Sequence, residues 1–201
     1  MKAKRVPHRS LLRLAIGFAI AASLVSRPTQ IAIAEERPTT RDIAGWSKAR
    51  WGMTDDEILQ AFPGEATRLE KTQQYGAGRV ADVGIEDTEI DTYHFTVDFL
   101  LDGNTHKLVE VLLRLKEKNP GIAANAFDAL EKALTEKYGK PAYRKERAKP
   151  GLSGLETENW ASWHFPSTMI DLRFTHMPGV LSMMAVKYES AALKENLDEK
   201  L

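Results

Sequence analysis

The chain has 201 residues, with 28 lysines and arginines against 28 aspartates and glutamates, and it contains no cysteine. The missing cysteine excludes disulfide staples, thiolate metal sites, a cysteine nucleophile and the lipid-bearing cysteine of a bacterial lipoprotein. The fold must therefore rest on its apolar core alone, for which the length is sufficient.

Residues 1 to 10 carry Lys2, Lys4, Arg5 and Arg9 and no acid, and the run from Leu14 to Val25 has no charge. That is a basic segment followed by an apolar one, the pattern of a secretory leader. A spanning helix needs about 20 apolar residues, and Arg13 and Ser26-Arg27-Pro28 bracket this run too closely. Ala32-Ile33-Ala34 has the small-x-small form of a cleavage site, so we expect residues 1–34 to be a signal peptide removed after Ala34. The expected location is periplasmic or secreted, without a stable membrane anchor. All six basic residues of the leader leave with it, so 22 basic residues face 28 acidic ones and the exported chain carries −6. Such a chain has no long-range attraction for nucleic acid or anionic lipid.

Residues 35–42 are polar and aperiodic and read as a flexible N-terminus, with an α+β domain over 43–190 and a C-terminal tail over 191–201. The first helix is announced by Thr54, Asp55, Asp56 and Glu57. Thr54 and Glu57 can form a reciprocal capping box, Met53 and Ile58 stand at the staple positions, and the aspartates suit the positive end of the helix dipole. Pro63-Gly64 ends it. From Ala66 to Leu115 the pattern alternates, with turn residues at 75–78, at Glu86-Asp87 and at Asp102-Gly103-Asn104, which predicts an antiparallel meander. Phe95, Val97 and Phe99 share one strand face; Val109, Val111, Leu113 and Leu115 share the next.

Asn119-Pro120 starts a second helix, along which Ile122, Ala126, Phe127, Leu130, Leu134 and Tyr138 predict one buried stripe. Gly139 and Pro141 stop it. The stretch from Ala142 to Thr157 has neither period and reads as a loop. Ala161, Trp163 and Phe165, then Ile170, Leu172 and Phe174, then Met184, Val186 and Tyr188 alternate as strands. The whole predicts a largely antiparallel sheet of about six strands with two main helices packed on one face, an order that also allows two related α-β-β halves.

Catalytic signals are weak. Gly151-Leu152-Ser153-Gly154 resembles a nucleophile elbow with its second glycine one residue early. Gly76-Ala77-Gly78-Arg79-Val80-Ala81 matches the dinucleotide spacing, but no helix is predicted after it, so it reads as a tight turn. His94, His106, His164 and His176 share no ligand spacing. No motif implies a catalytic residue, a cofactor or a metal. Trp46, Trp51, Trp160 and Trp163 could line a recognition groove, and Trp160 and Trp163 must face opposite sides of one strand. Arg144, Lys145, Arg147 and Lys149 oppose the acidic whole and mark a candidate contact for an acidic partner, together with Trp160.

The Trp51-Gly52-Met53-Thr54 box with Glu57, the strands ending in Asp102-Gly103 and Lys107-Leu108, and the Lys137-Tyr138-Gly139-Lys140-Pro141 stop resemble a group of small exported bacterial proteins of unknown function. The likeness spans residues 46 to 190. The order of elements is also similar to α+β modules such as the β-lactamase inhibitor protein fold and the small outer-membrane assembly lipoproteins, from which this chain departs by lacking the lipid-bearing cysteine. The resemblance implies a periplasmic binding or accessory module recognising a protein or envelope component. A carrier of a small apolar or aromatic ligand is the alternative.

Overall fold

In the computed structural model, residues 42–151 and 154–193 are described. The expected leader (1–34), residues 35–41, Ser153 of the elbow-like motif and the tail beyond Leu193 lie outside the described residues.

A small antiparallel pair, β1 (Gly45–Trp46) and β2 (Ala49–Arg50), precedes helix α1 (Asp55–Ala61). The capping box forms: the Glu57 carboxylate accepts from the Thr54 backbone N–H (2.7 Å), and Thr54 Oγ1 accepts from the Glu57 N–H (3.4 Å). Four strands follow, β3 (Thr67–Tyr75), β4 (Arg79–Ile90), β5 (Tyr93–Asp102) and β6 (Leu108–Leu115). Helix α2 (Pro120–Tyr138) comes next, its Asn119 side chain accepting from the N–H groups of Gly121 and Ile122. Four more strands close the chain, β7 (Tyr143–Gly151), β8 (Gly154–His164), β9 (Thr168–Met177) and β10 (Leu181–Ser190).

Among the described residues these strands form one eight-stranded antiparallel sheet in the order β3-β4-β5-β6-β10-β9-β8-β7. Each half is a helix followed by a four-stranded meander, and the meanders join through their last strands, β6 and β10. One row of paired residues crosses the six inner strands of the sheet: Val83, Phe99, Val111, Tyr188, Ile170 and Trp163. All six are buried, and both helices pack on this side. The ring of Phe62, just after α1, has its centre 5.4 Å from that of Phe99, and the Trp163 indole donates to the Gly139 carbonyl just after α2 (2.8 Å).

Four expectations are corrected. Eight strands replace about six in the main sheet, and the expected loop from Ala142 to Thr157 is the β7–β8 hairpin. Strand β7 is an edge strand, exposed along nearly its whole length, so it carries charges on both faces and no apolar alternation, the composition that protects a sheet edge. Pro150 is tolerated there because an edge strand has a spare donor side. Glu86-Asp87 is no turn: β4 runs through it with a shift of register, and the chain reverses at Asp91, whose φ is 60°. Ile122 is exposed, and Ala123 takes its place in the buried stripe of α2. The glycine motif at 76–78 is a tight turn running directly into β4.

Candidate functional site

Because side chains alternate along a strand, a sheet whose helices all lie on one side has a second face. No described helix covers it. Three neighbouring rows cross it: Leu100, Glu110, Glu189, Met169 and His164; then Gly84, Asp98, Leu112, Lys187, Asp171, Ser162 and Tyr143; then Thr96, Arg114, Ala185, Arg173, Trp160 and Lys145.

Its charges are layered. Asp98, Glu110 and Asp171 have side chains only 5%, 4% and 3% exposed, while Arg79, Arg114, Lys187 and Arg173 above them are 20%, 40%, 27% and 49% exposed. The acids are thus buried deeper than the cations that pair with them. Buried carboxylates need partners, and each has one. Arg114 pairs with Asp98, which also accepts from the Tyr75 hydroxyl (3.0 Å). Arg79 pairs with Glu110 and reaches Glu189 at 3.4 Å. Lys187 bridges Glu189 (2.8 Å) and Asp171 (3.5 Å). Asp171 accepts from the Trp160 indole N–H at 3.0 Å. Burial pushes the Tyr75 hydroxyl up to about 12, with Asp98 adding to the effect. Burial also holds the Glu110 carboxyl above its ordinary value, against the opposing pull of Arg79.

Trp160 is the fixed aromatic of this face. The Arg173 guanidinium sits 4.1 Å from its ring centre and Tyr143 meets its edge at 4.7 Å, a cation–π and an edge-to-face contact on one indole. Trp163 is turned to the helix side and buried, as the spacing of three required. Trp46 stacks on Phe62 at 5.8 Å, and Trp51 is half-buried with its N–H on Thr168 Oγ1 (2.8 Å), so neither joins a groove with Trp160.

The candidate basic set is divided by the strand period. Lys145, Arg147 and Lys149 lie on the open face in register with Trp160, Glu158 and Glu156. Lys145 and Lys149 each hold a glutamate at 2.8 Å, Glu158 and Glu156 respectively. Arg144 lies on the opposite side, bound to Glu131 of α2 (2.5 Å) with its guanidinium 5.2 Å from the Phe127 ring centre. It ties β7 to α2 and is absent from the face that holds the others.

The histidines stay apart. His94 meets Asp87 (3.0 Å) and His164 meets Ser162 (3.0 Å); no group of three or more His, Asp or Glu among the described residues could hold a metal ion. Among the depressions formed by the described residues, one of about 180 Å³ is lined by His164, Phe165, Met169 and Glu189, and another of about 160 Å³ by Arg147, Lys149, Glu158 and Met177 among others.

Sequence reasoning missed Asp98, Glu110, Asp171, Lys187 and Glu189. Part of the signal was present as charges at alternate positions, as in Ile170-Asp171-Leu172-Arg173-Phe174. Among the described residues no helix is long and apolar enough to cross a membrane. Comparison with known proteins returns no matching family model, no matching curated protein and no matching solved structure.

Proposed function

We propose that the chain is an exported, non-enzymatic binding or accessory module that recognises another protein through the open face of its sheet, centred on Trp160 and strand β7. The observation that carries this is the layering of charge: three buried carboxylates under a cover of partly exposed arginines and lysines. A solvated sheet face has no need to bury acids beneath its cations. Over the middle of the sheet the more exposed members of the pairs are Arg114, Arg173 and Lys187, so the surface that fits them is an acidic one, through charge complementarity that steers the encounter. Trp160 is held from two sides, which suits an anchor residue whose side-chain freedom is already lost before contact.

The ligand-carrier alternative draws less support, because both depressions fall short of the roughly 300 Å³ or more of a small-molecule pocket and neither is closed. Reversing Lys145, Arg147 and Lys149 together to glutamate should reduce capture of the partner from envelope extracts by more than about tenfold, since like charges facing each other cost several kcal/mol. The exposed α2 pair Lys132→Glu and Lys137→Glu is the control, and undiminished capture by the β7 variant would sink the proposal.

A further inference from the structure

Hairpin tips are ordinarily polar, since a turn faces water on all sides. Two neighbouring tips of this chain are not. The β9–β10 turn lies within Met177-Pro178-Gly179-Val180-Leu181-Ser182-Met183-Met184, which has no charged residue, and the β7–β8 hairpin is flanked at its end by Pro150-Gly151 and Gly154-Leu155, likewise uncharged. The two tips adjoin: a methyl group added at Gly154 would stand 3.3 Å from the Pro178 ring.

Among the described residues, most of the exposed large aliphatic side chains gather at this end: Val180 is 77% exposed, Leu155 57%, Met183 43% and Leu181 39%. Leu181 and Met183 belong to the open face, Leu155 to the opposite side, and Val180 to the turn itself. The apolar surface therefore wraps the end of the sheet. A protein pocket would have to enclose that end on every side, whereas the boundary layer of a bilayer surrounds anything that enters it. Part of the backbone here is already paired, because the Val180 N–H donates to the Met177 carbonyl (3.0 Å) and Gly151 pairs with Gly154, which lowers the cost of leaving water.

Behind the tips stands a collar of opposite charges, Lys149 with Glu156 and Lys145 with Glu158, each at 2.8 Å. Paired charges match the phosphate and ammonium of zwitterionic headgroups. The −6 of the exported chain weighs against a strongly anionic surface.

We propose that the β9–β10 turn, with Leu155 beside it, docks the protein reversibly on a zwitterionic lipid bilayer, with Val180, Leu181, Met183 and Leu155 entering the boundary between headgroups and acyl chains. The cysteine-free chain makes the test direct, since Val180→Cys gives one site for an environment-sensitive nitrobenzoxadiazole label. The protein is expressed with its own leader, recovered after export and mixed with phosphatidylcholine vesicles. The label at position 180 should brighten severalfold and shift to the blue, while a label carried by Asp128→Cys on exposed α2 should not. Unlabelled protein should sediment with the vesicles regardless of salt, Val180→Asp with Leu181→Asp should lower that partitioning by more than about tenfold, and Trp160→Ala should leave it unchanged. Silence at position 180, an equal response at 128, undiminished partitioning of the aspartate variant, or a shift that grows with protein concentration before vesicles are added would each overturn the proposal.

Discussion

At the residue scale the open face depends on Glu110 and Arg79. Burial raises the Glu110 carboxyl, so its charged form is a cost that grows as pH rises through the folded value, and Arg79 offsets it. Removing the arginine leaves a buried charge without its partner, which costs about 3 kcal/mol in such pairs. Arg79→Met is expected to lose that much at about pH 7 and clearly less at about pH 5, where Glu110 can take up a proton. Adding Glu110→Gln should restore part of the loss. Urea unfolding at the two pH values checks this, and an equal loss at both would contradict the assignment. Asp42 and Glu57 behave in the opposite sense: hydrogen bonds from Ser167 and from Thr54, respectively, hold their carboxyls below the ordinary range. Their contribution is present above the unfolded carboxyl value and is lost as pH falls through the folded one.

At the element scale, sequence legibility followed burial. Both helices were readable because caps are local: Thr54 with Glu57 and Asn119 with Pro120 hold the first turns without help from distant residues. Thr54→Ala should cost about 1 kcal/mol by thermal or urea unfolding, and an unchanged midpoint would show that the box adds nothing. Strands with one buried side, such as Ile170-Asp171-Leu172, gave their period away. Strand β7 could not, because this edge strand is exposed along nearly its whole length and an alternating hydrophobic signal is absent from it. The same cause hid half of the candidate site. Lys145, Arg147 and Lys149 could be named from their charge, but the separation of Arg144 from them follows from the strand period, which a loop does not have.

For the whole described body, the order helix then four strands, repeated, leaves one side of an eight-stranded sheet covered and the other open. Which residues meet across β6 and β10 depends on pairing between elements far apart in the chain, so the rows uniting Glu110 with Glu189 and Leu112 with Lys187 were invisible in a linear reading. The same architecture sets the proposed division of labour, with an aromatic and cationic field over the sheet and aliphatic tips at its end. The central claim is that this open face, and not the helix side, meets the partner. Photo-crosslinkers placed singly at Glu158 and Arg173 on the open face, and at Asp128 and Lys132 on α2, test it most directly in intact cells. The account predicts adducts of one size from the two sheet positions and none from the helix; adducts from the helix positions with silence from the sheet would contradict it.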